Sequence, residues 1–418
     1  MTNRGWSRDP VAVASMGLIV LLAAAWTLYG LYGERLVSAM YAQKAISFLR
    51  VGAHIRARRT IPDLLHDVED GLVAVTALCS GLVVFLLFRR RKMQSSTDAT
   101  PRLQSQAGIG RLLFSVSVLL SCSWCCFMSL RHGHEEPWYV ISRAMTFTVG
   151  PPYRHRVLFI LVGRLLDVLW PSLSLRFCFF TSQLFAILLA MILIKKWAAM
   201  FVDRDVAFVA QLLLAAMLVP TFSYWNSYDV GIVLFYTACL WFLFKRRTVL
   251  YLVAFVLGTL NHEIMLFLVI LSAFVCYKSR MNTRALAAFT IAQLGLYGLV
   301  RAALFHFLPV PRAWQAGKVW FNFETLFHFY ERPRFLARTA ITMLWFLAAG
   351  CLGFRRAPQD LRRATILLPL LLGSTVLVGQ INEARQFVAF IPIAIGLILC
   401  GSARRARVDH NAITVNGV

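Results

Sequence analysis

The amino-acid sequence predicts an all-α polytopic membrane protein, a bundle of about 12 transmembrane helices with further helices at the membrane surface. Of its 418 residues, 59% are hydrophobic and only 15% are charged, and apolar runs long enough to cross a bilayer recur along the chain. Runs such as FCFFTSQLFAILLAMILI are apolar on every face, whereas strands of an outer-membrane barrel alternate. Only helices satisfy every backbone polar group in such segments.

The apolar runs give the predicted spans and their orientation. The spans cover residues 11–32, 71–88, 111–130, 174–194, 205–220, 229–244, 248–260, 264–277, 285–300, 338–354, 364–380 and 387–402. An even number of spans places both termini on one side. Basic clusters such as RRRK after Phe88 and KRR from Lys245 fall on that side, while the turns 221–228 and 261–263 contain no Lys or Arg. The positive-inside rule therefore predicts cytoplasmic termini.

The charge balance and the cysteines exclude two classes of function. A net charge of +24 is typical here of cytoplasmic loops that face anionic lipid, so membrane lipid is an expected partner and nucleic acid is not. The nine cysteines lie in predicted spans or at their ends, which favours neither a disulfide framework nor a zinc site. Residues 1–32 are interpreted as a retained anchor, because their apolar run is longer than the core of a usual signal peptide.

The chain divides into four predicted segments. Residues 1–88 form an amino-terminal two-helix membrane unit, and 89–110 form a cytoplasmic linker rich in Ser, Gln and Thr. Residues 111–402 form a ten-helix membrane body, and 403–418 form a cytoplasmic tail.

Two amphipathic stretches predict helices that lie at the outer membrane surface. One lies within loop 33–70, and the other covers 155–170, where Arg164 and Asp167 share one helical face. The acidic residues that close loop 33–70 are expected at a water-exposed helix entrance in preference to a cation site. They are Asp63, Asp67, Glu69 and Asp70.

Four polar clusters fall at the outer ends of different predicted helices, where they would converge on one cavity. They are RHGHEEPWY (131–139) with PPYRHR (151–156), SYWNSYDV (223–230), NHEI (261–264) and QINEARQF (380–387). Glu263 interrupts an otherwise apolar tract, and a charge inside a membrane costs roughly 3 kcal/mol. Either two short helices meet at Glu263 beside a water-filled cavity, or Glu263 pairs with an arginine such as Arg385.

Individual residues of these clusters have recognisable chemistry. Glu135 or Glu136, at the edge of a cavity of low dielectric constant, suits a general base. Arg154 and Arg156, preceded by Tyr153, offer guanidinium groups for phosphate oxygens or for lipid headgroups. HEIML does not fit a zinc protease motif, since its fifth residue is leucine, and we predict no metal site.

The arrangement of these motifs resembles a known family. EEPWY in an outer loop, PPYRHRVLF before a surface helix, and acidic residues at the outer ends of later helices resemble the C-type integral membrane glycosyltransferases over roughly residues 111–402. The order PYR, SYD, NHE and EAR is also similar to that of related uncharacterised bacterial multi-pass membrane proteins. The resemblance implies a bacterial inner (plasma) membrane protein that uses a polyprenyl-phosphate-linked sugar on the outer face.

The resemblance also implies roles for the candidate residues. Glu135 or Glu136 would deprotonate the acceptor hydroxyl. Asp229 and Glu263 would position the donor sugar or a divalent cation, the one candidate cofactor. The remaining residues of the predicted substrate site include the arginines that would hold the lipid phosphate, and they are Tyr153, Arg154, Arg156, Asn261, His262, Glu383 and Arg385.

Three other functions stay open at the level of sequence. A proton- or cation-coupled transporter or flippase would use Glu263 and Asp229 to carry the coupling charge, and short broken helices fit that function. No matching interruption occurs in two halves of the chain, so inverted repeats are not evident. A polymerase of lipid-linked glycans is a near relative of the glycosyltransferase hypothesis, and an assembly factor without catalysis is the third.

Overall fold

The computed structural model describes residues 10–42, 61–94, 106–132, 138–148, 153–204, 206–222, 228–277, 281–308, 333–377, 379 and 383–402. Within these ranges the chain is helical, and no strand forms beyond an isolated bridge between Tyr277 and Met281. The predicted all-α class is therefore confirmed.

Fifteen α-helices follow one another in the described ranges. The first eight are α1 (Pro10–Ala42), α2 (Ile61–Gln94), α3 (Gln106–His132), α4 (Trp138–Met145), α5 (Leu158–Leu169), α6 (Leu175–Ala198), α7 (Val209–Leu218) and α8 (Asp229–Phe244). The others are α9 (Thr248–Asn261), α10 (Phe267–Cys276), α11 (Thr283–Phe307), α12 (Pro333–Gly353), α13 (Gln359–Ala364), α14 (Leu367–Leu377) and α15 (Ile391–Ser402). Short 3₁₀ turns at Tyr153–His155, Val219–Thr221, Glu263–Leu266 and Ala384–Phe390 adjoin several of them.

Each predicted span coincides with one of these helices or overlaps it, but the helices differ in length. Five segments of the described chain are long and apolar enough to cross a membrane, namely Ala14–Tyr32, Leu112–Arg131, Leu175–Ala198, Thr283–Phe307 and Ala384–Gly401. A further five apolar helical segments have only 10–17 residues. Length and composition thus support an integral membrane protein with several crossings, while the count of about 12 rests on the sequence pattern.

The first two helices pack directly against the body of the protein. Trp26 in α1 donates a hydrogen bond to Thr76 in α2, at 2.9 Å, and Trp124 in α3 donates one to Thr27 in α1, at 2.6 Å. The helical ends of α2 and α3 also take in both ends of the predicted linker 89–110. The middle of that linker, residues 95–105, lies outside the described ranges.

The centre of the bundle is formed by α6, α7, α8 and α15. Every residue of α7 is buried, as is α8 from Asp229 to Leu240. Because an indole N–H must find an acceptor when it is buried, Trp197 in α6 donates to the carbonyl of Pro392 in α15, at 2.8 Å. These buried helices support the polar residues at the end of the bundle where α8 begins.

Helix α5 occupies the predicted surface-helix segment 155–170. It has 12 residues and is therefore about 18 Å long, too short to cross a bilayer. Arg164 and Asp167 lie on one face as predicted and form an ion pair at 3.3 Å. Leu165 and Val168 of this helix are also exposed. Its position at a membrane surface stays a prediction.

Helices α9 and α10 fold back on each other as a hairpin. Near its base, Tyr251 in α9 donates to Gln293 in α11 at 2.8 Å and lies 3.4 Å from the carbonyl oxygen of Leu268 in α10. Near its apex, Met265 packs directly over Gly258, where a side chain on the glycine would collide with it. The apex brings Asn261 and its neighbours to the same end of the bundle as the start of α8.

Candidate functional site

The hairpin apex is held by hydrogen bonds to its own backbone. His262 Nδ1 accepts from the backbone N–H of Ile264, at 3.1 Å, and so caps the 3₁₀ turn that begins at Glu263. Tyr236 in α8 donates to the carbonyl of Ile264, at 2.7 Å, and Tyr297 in α11 donates to that of Glu263, at 3.3 Å. The turn therefore satisfies backbone groups that would otherwise be costly in an apolar setting.

Glu263 forms a two-pronged ion pair with Arg156. Arg156 Nη2 donates to Glu263 Oε1 at 2.6 Å, and Nε donates to Oε2 at 3.3 Å. The Arg156 side chain keeps only 8% of its exposure, and Glu263 keeps 32%. The sequence-based alternative that Glu263 pairs with Arg385 is wrong in its partner, because Arg156, just before α5, lies closer to the apex.

Arg385 has a carboxylate partner of its own. Its Nε and Nη2 donate to Glu383 Oε2, at 3.0 and 2.8 Å, and Gln386 donates to the same oxygen at 2.9 Å. Arg385 Nη2 also donates to the Tyr153 hydroxyl across 3.4 Å. These contacts join the start of the Ala384–Phe390 turn to the Tyr153–His155 turn.

Tyr153, which stacks on Tyr228, connects the Arg156–Glu263 pair to the Arg385–Glu383 pair. The rings of Tyr153 and Tyr228 stack with centroids 6.0 Å apart. The Arg156 guanidinium lies 5.1 Å from the centre of the Tyr153 ring and 5.5 Å from that of Tyr228, which is the range of a cation–π interaction. Tyr153 therefore touches Arg156 through its ring and Arg385 through its hydroxyl.

Asp229 opens α8 beside these pairs and is almost fully buried, at 2% exposure. No donor among the described residues reaches its Oδ2, although residues 223–227 directly before it lie outside those ranges. Arg385 and Arg156 are close enough to attract it electrostatically, and an acidic residue at a helix amino terminus is also favoured by the helix dipole.

The start of α8 is fixed against the hairpin by Asn261. Its Nδ2 donates to the carbonyl of Tyr228, at 2.9 Å. One turn further, Gly231 leaves just enough room for this amide, since a Cβ there would lie 2.5 Å from Asn261 Nδ2. The absence of a side chain at Gly231 thus sets how closely the apex approaches Asp229.

The structure brings most of the predicted site residues to one end of the bundle. Eight are joined directly or through a shared neighbour, namely Tyr153, Arg156, Asp229, Asn261, His262, Glu263, Glu383 and Arg385. Arg154 lies in the same short turn as Tyr153. Glu135 and Glu136 lie outside the described residues. Sequence reasoning did not single out Tyr236 and Tyr297, although a tyrosine in an apolar helix needs a partner for its hydroxyl and is a usable signal.

The described residues do not form a metal site. Within the ranges given above, no three His, Cys, Asp or Glu side chains are grouped so that they could hold a metal ion. Glu263, one of the two residues suggested for a divalent cation, is instead occupied by Arg156. The donor set of the described residues therefore does not fit the cation that the family resemblance implies.

A second ion cluster joins α2 to α12 near the same end of the bundle. Arg338 lies 2.7 Å from Asp70 and 3.1 Å from Glu69, and it also donates to the carbonyl of Phe222 at 2.8 Å. The Glu69 side chain is only 5% exposed, so the expectation of a water-exposed acidic entrance is wrong for this residue. The side chains of Asp63 and Asp67 lie outside the described set.

His155 adds a titratable group next to this site. Its Nε2 donates to the carbonyl of Leu308, at 2.9 Å, and its ring packs against Phe305. Burial lowers the pKa of His155, and the nearby Arg301 and Arg154 act in the same direction, while the hydrogen bond to Leu308 and the charge of Glu263 oppose them. The folded protein therefore holds this imidazole neutral at neutral pH.

A histidine whose pKa is lowered by folding makes the protein less stable in acid. The unfolded chain takes up the proton near pH 6.5, before the folded chain does, so stability is complete above pH 6.5 and falls below it. We expect the free energy of unfolding to decline between pH 6.5 and 5, and His155→Gln to remove up to about 1.4 kcal/mol per pH unit of that slope. Unfolding titrations in detergent at several pH values would measure the free energy of unfolding of the wild type and of His155→Gln. The same dependence on pH in both proteins would contradict the prediction.

Comparison with known proteins gives no match to this chain: no protein family, curated protein or solved structure is similar to it. The function must therefore be argued from the site residues themselves.

Proposed function

We propose that this chain is a glycosyltransferase-like multi-pass membrane protein, which transfers a sugar from a polyprenyl-phosphate donor at the outer face of a bacterial inner membrane. The observation that carries the proposal is the convergence of two guanidinium groups on Tyr153, each anchored by a glutamate. Such a site, at one end of an apolar bundle, suits a ligand with an anionic phosphate and an apolar tail.

Arg156 retains capacity for a phosphate although it is paired with Glu263. Glu263 engages Nε and Nη2 of Arg156, and none of the described residues accepts a hydrogen bond from Nη1. The Arg156 guanidinium also contacts the rings of Tyr153 and Tyr228, so its orientation is fixed in advance. Guanidinium groups that are already fixed and partly desolvated bind phosphate oxygens more strongly than the same groups in water.

The proposed reaction is a displacement at the anomeric carbon of the donor sugar. A carboxylate accepts the proton of the acceptor hydroxyl, and the acceptor oxygen forms a bond to that carbon. The bond from carbon to phosphate oxygen breaks, and polyprenyl phosphate leaves with the electron pair. Arg156 and Arg385 would stabilise the leaving phosphate. The base is Glu135 or Glu136 in this scheme, with Asp229 and Glu263 positioning the sugar, and no step uses a divalent cation.

A transporter or flippase coupled to protons or cations is the second candidate. The observation that favours it is Asp229, a buried carboxylate with one oxygen that receives no hydrogen bond from the described residues. Reconstituted liposomes distinguish the two functions: a coupled transporter moves lipid-linked sugar or protons across the bilayer, whereas a glycosyltransferase releases polyprenyl phosphate. A polymerase of lipid-linked glycans would release it repeatedly into one growing product.

Binding of a prenyl phosphate tests the proposal before the sugar is known. Purified protein in detergent is expected to bind farnesyl phosphate, and to bind farnesol, which lacks the phosphate, much more weakly. Arg385→Lys keeps the charge but loses the planar fork, so affinity should fall roughly tenfold or more. Isothermal titration calorimetry provides the measurement.

Two comparisons complete this test. Arg284→Lys, at an exposed site far from the cluster in sequence, is the matched control and should bind as the wild type does. Equal affinity for farnesol and farnesyl phosphate, or an Arg385→Lys variant that is folded and binds normally, would contradict phosphate recognition by this site.

A further inference from the structure

A separate pocket opens at the opposite end of the central helices. It has a volume of about 810 Å³ and is formed where α3 and α7 begin and where α6 and α8 end. We call the group of Tyr153, Arg156, Asp229, Glu263, Glu383 and Arg385 the polar cluster. Helix α8 has 16 residues and runs from Asp229 in the polar cluster to this pocket, a distance of about 24 Å. The pocket is therefore a different site from the polar cluster.

The described part of the pocket wall is positively charged. Four basic side chains contribute to it, Lys195, Lys196, Arg204 and Lys245, and none of the described lining residues is Asp or Glu. The Lys196 ammonium lies 5.4 Å from the centre of the Trp241 ring, which positions it by a cation–π contact. Such a wall attracts anions, and it favours phosphate groups near a membrane surface.

The rest of the lining is apolar and continues onto the outside of the bundle. Leu112 and Val116 in α3 and Ile192 in α6 line the pocket and are also 63%, 40% and 38% exposed. In an integral membrane protein these residues face acyl chains. A ligand in this pocket would therefore contact the basic wall at one end and the lipid phase at the other.

One buried polar side chain of the lining has unused hydrogen-bonding capacity. Gln211 is only 1% exposed, and its amide nitrogen donates to the carbonyl of Met191 at 3.0 Å. Its Oε1 receives no hydrogen bond from any residue in the described ranges. A buried acceptor without a donor is costly, which favours a ligand that carries a hydroxyl group.

We propose that this pocket binds one anionic phospholipid from the surrounding leaflet. The phosphate lies between Lys195, Lys196 and Lys245, a headgroup hydroxyl lies near Gln211, and an acyl chain follows the exposed apolar residues of α3 and α6. The volume suits a headgroup and the upper part of a chain. By the orientation predicted from sequence, this is the cytoplasmic leaflet, whose anionic lipids the basic residues face. The inference does not depend on the proposed catalytic function.

Lipid binding to the full-length, delipidated protein tests this inference. Native mass spectrometry and thermal unfolding in detergent are carried out with phosphatidylglycerol, phosphatidylcholine or inorganic phosphate added. Phosphatidylglycerol is expected to bind and to raise the unfolding temperature. Replacing Lys195, Lys196 and Lys245 by Gln should weaken this binding about a hundredfold, since each lysine near an anionic lipid contributes about fivefold.

A matched variant separates site binding from general charge. Arg284, Arg355 and Arg362 are exposed cations outside the pocket lining, and replacing all three by Gln removes the same charge. This control should keep wild-type affinity for phosphatidylglycerol. The inference is overturned if both triple variants lose binding equally, if neither does, or if phosphatidylcholine or free phosphate binds as well as phosphatidylglycerol.

Binding of farnesyl phosphate tests whether the pocket and the polar cluster are independent sites. The lysine triple variant should still respond to the Arg385→Lys change as the wild-type background does, because the polar cluster is untouched. If phosphatidylglycerol binding depends on Arg385 instead of on the lysines, the lipid site lies in the polar cluster and the proposed pocket is wrong.

Discussion

Glu263→Gln is expected to lower the free energy of unfolding by about 3 kcal/mol, because it removes the charge partner of a buried arginine. Arg156 keeps 8% of its side-chain exposure, so it gains little water in return. The estimate lies at the low end of the usual range for breaking a buried pair, since Glu263 itself is 32% exposed. Unfolding titrations with a denaturing detergent would measure the loss.

The double variant identifies the partner. Arg156→Gln added to Glu263→Gln removes the stranded charge and should recover most of the lost stability, whereas Arg385→Gln added to Glu263→Gln should not, because Arg385 is bound by Glu383. The recovered double variant should still fail to bind farnesyl phosphate, since Arg156 is one of its two proposed ligands. If Arg385→Gln restores stability to Glu263→Gln and Arg156→Gln does not, the pairing of Glu263 with Arg156 is wrong.

Arg338→Gln is expected to have an effect at least as large, roughly 4 kcal/mol. It leaves Glu69 and Asp70, two adjacent carboxylates, without the guanidinium that binds both, and it also strands the Phe222 carbonyl. Arg338→Lys should recover only part of the loss, because one ammonium group cannot reach the same acceptors as a planar fork.

The control for this prediction is Arg355→Gln, an exposed arginine at the far end of the same helix region, which should change stability by less than about 0.5 kcal/mol. Replacing Glu69 by Gln and Asp70 by Asn together with Arg338→Gln should restore much of the stability. An Arg338→Gln protein within about 1 kcal/mol of the wild type would show that the cluster is solvated and contributes little.

The sequence predicted the elements and the end of the bundle at which polar residues gather, but not the partners. Apolar runs identify the helices because a segment that crosses lipid must be apolar along its own length and must satisfy its own backbone hydrogen bonds. Whether Glu263 meets Arg156 or Arg385 depends on how helices pack, and both arginines precede helices at the same end. Arg338 was predicted only as the first residue of a span, so its role as partner of Glu69 could not be found from spacing.

The contact made by Tyr297 is another example of a partner that the sequence does not predict. Its hydroxyl reaches the Glu263 carbonyl from α11, a contact between residues 34 apart in sequence. The sequence indicates that this hydroxyl needs a partner, but no local pattern identifies the Glu263 carbonyl as that partner. The Asn261 amide, in contrast, was visible in the sequence as a polar interruption, because its cost in an apolar tract is itself the signal.

The ion pairs also have a consequence for the order in which the helices assemble during synthesis. Arg156 precedes Glu263 by 107 residues, and Asp70 precedes Arg338 by 268. At 5–20 residues per second a ribosome takes roughly 13–54 s to cover the longer interval. Throughout that time Glu69 and Asp70 lack the Arg338 guanidinium that both contact in the folded protein. The final docking of α12 is thus a late assembly step, and truncated chains that end before α12 should be recognised by membrane proteases.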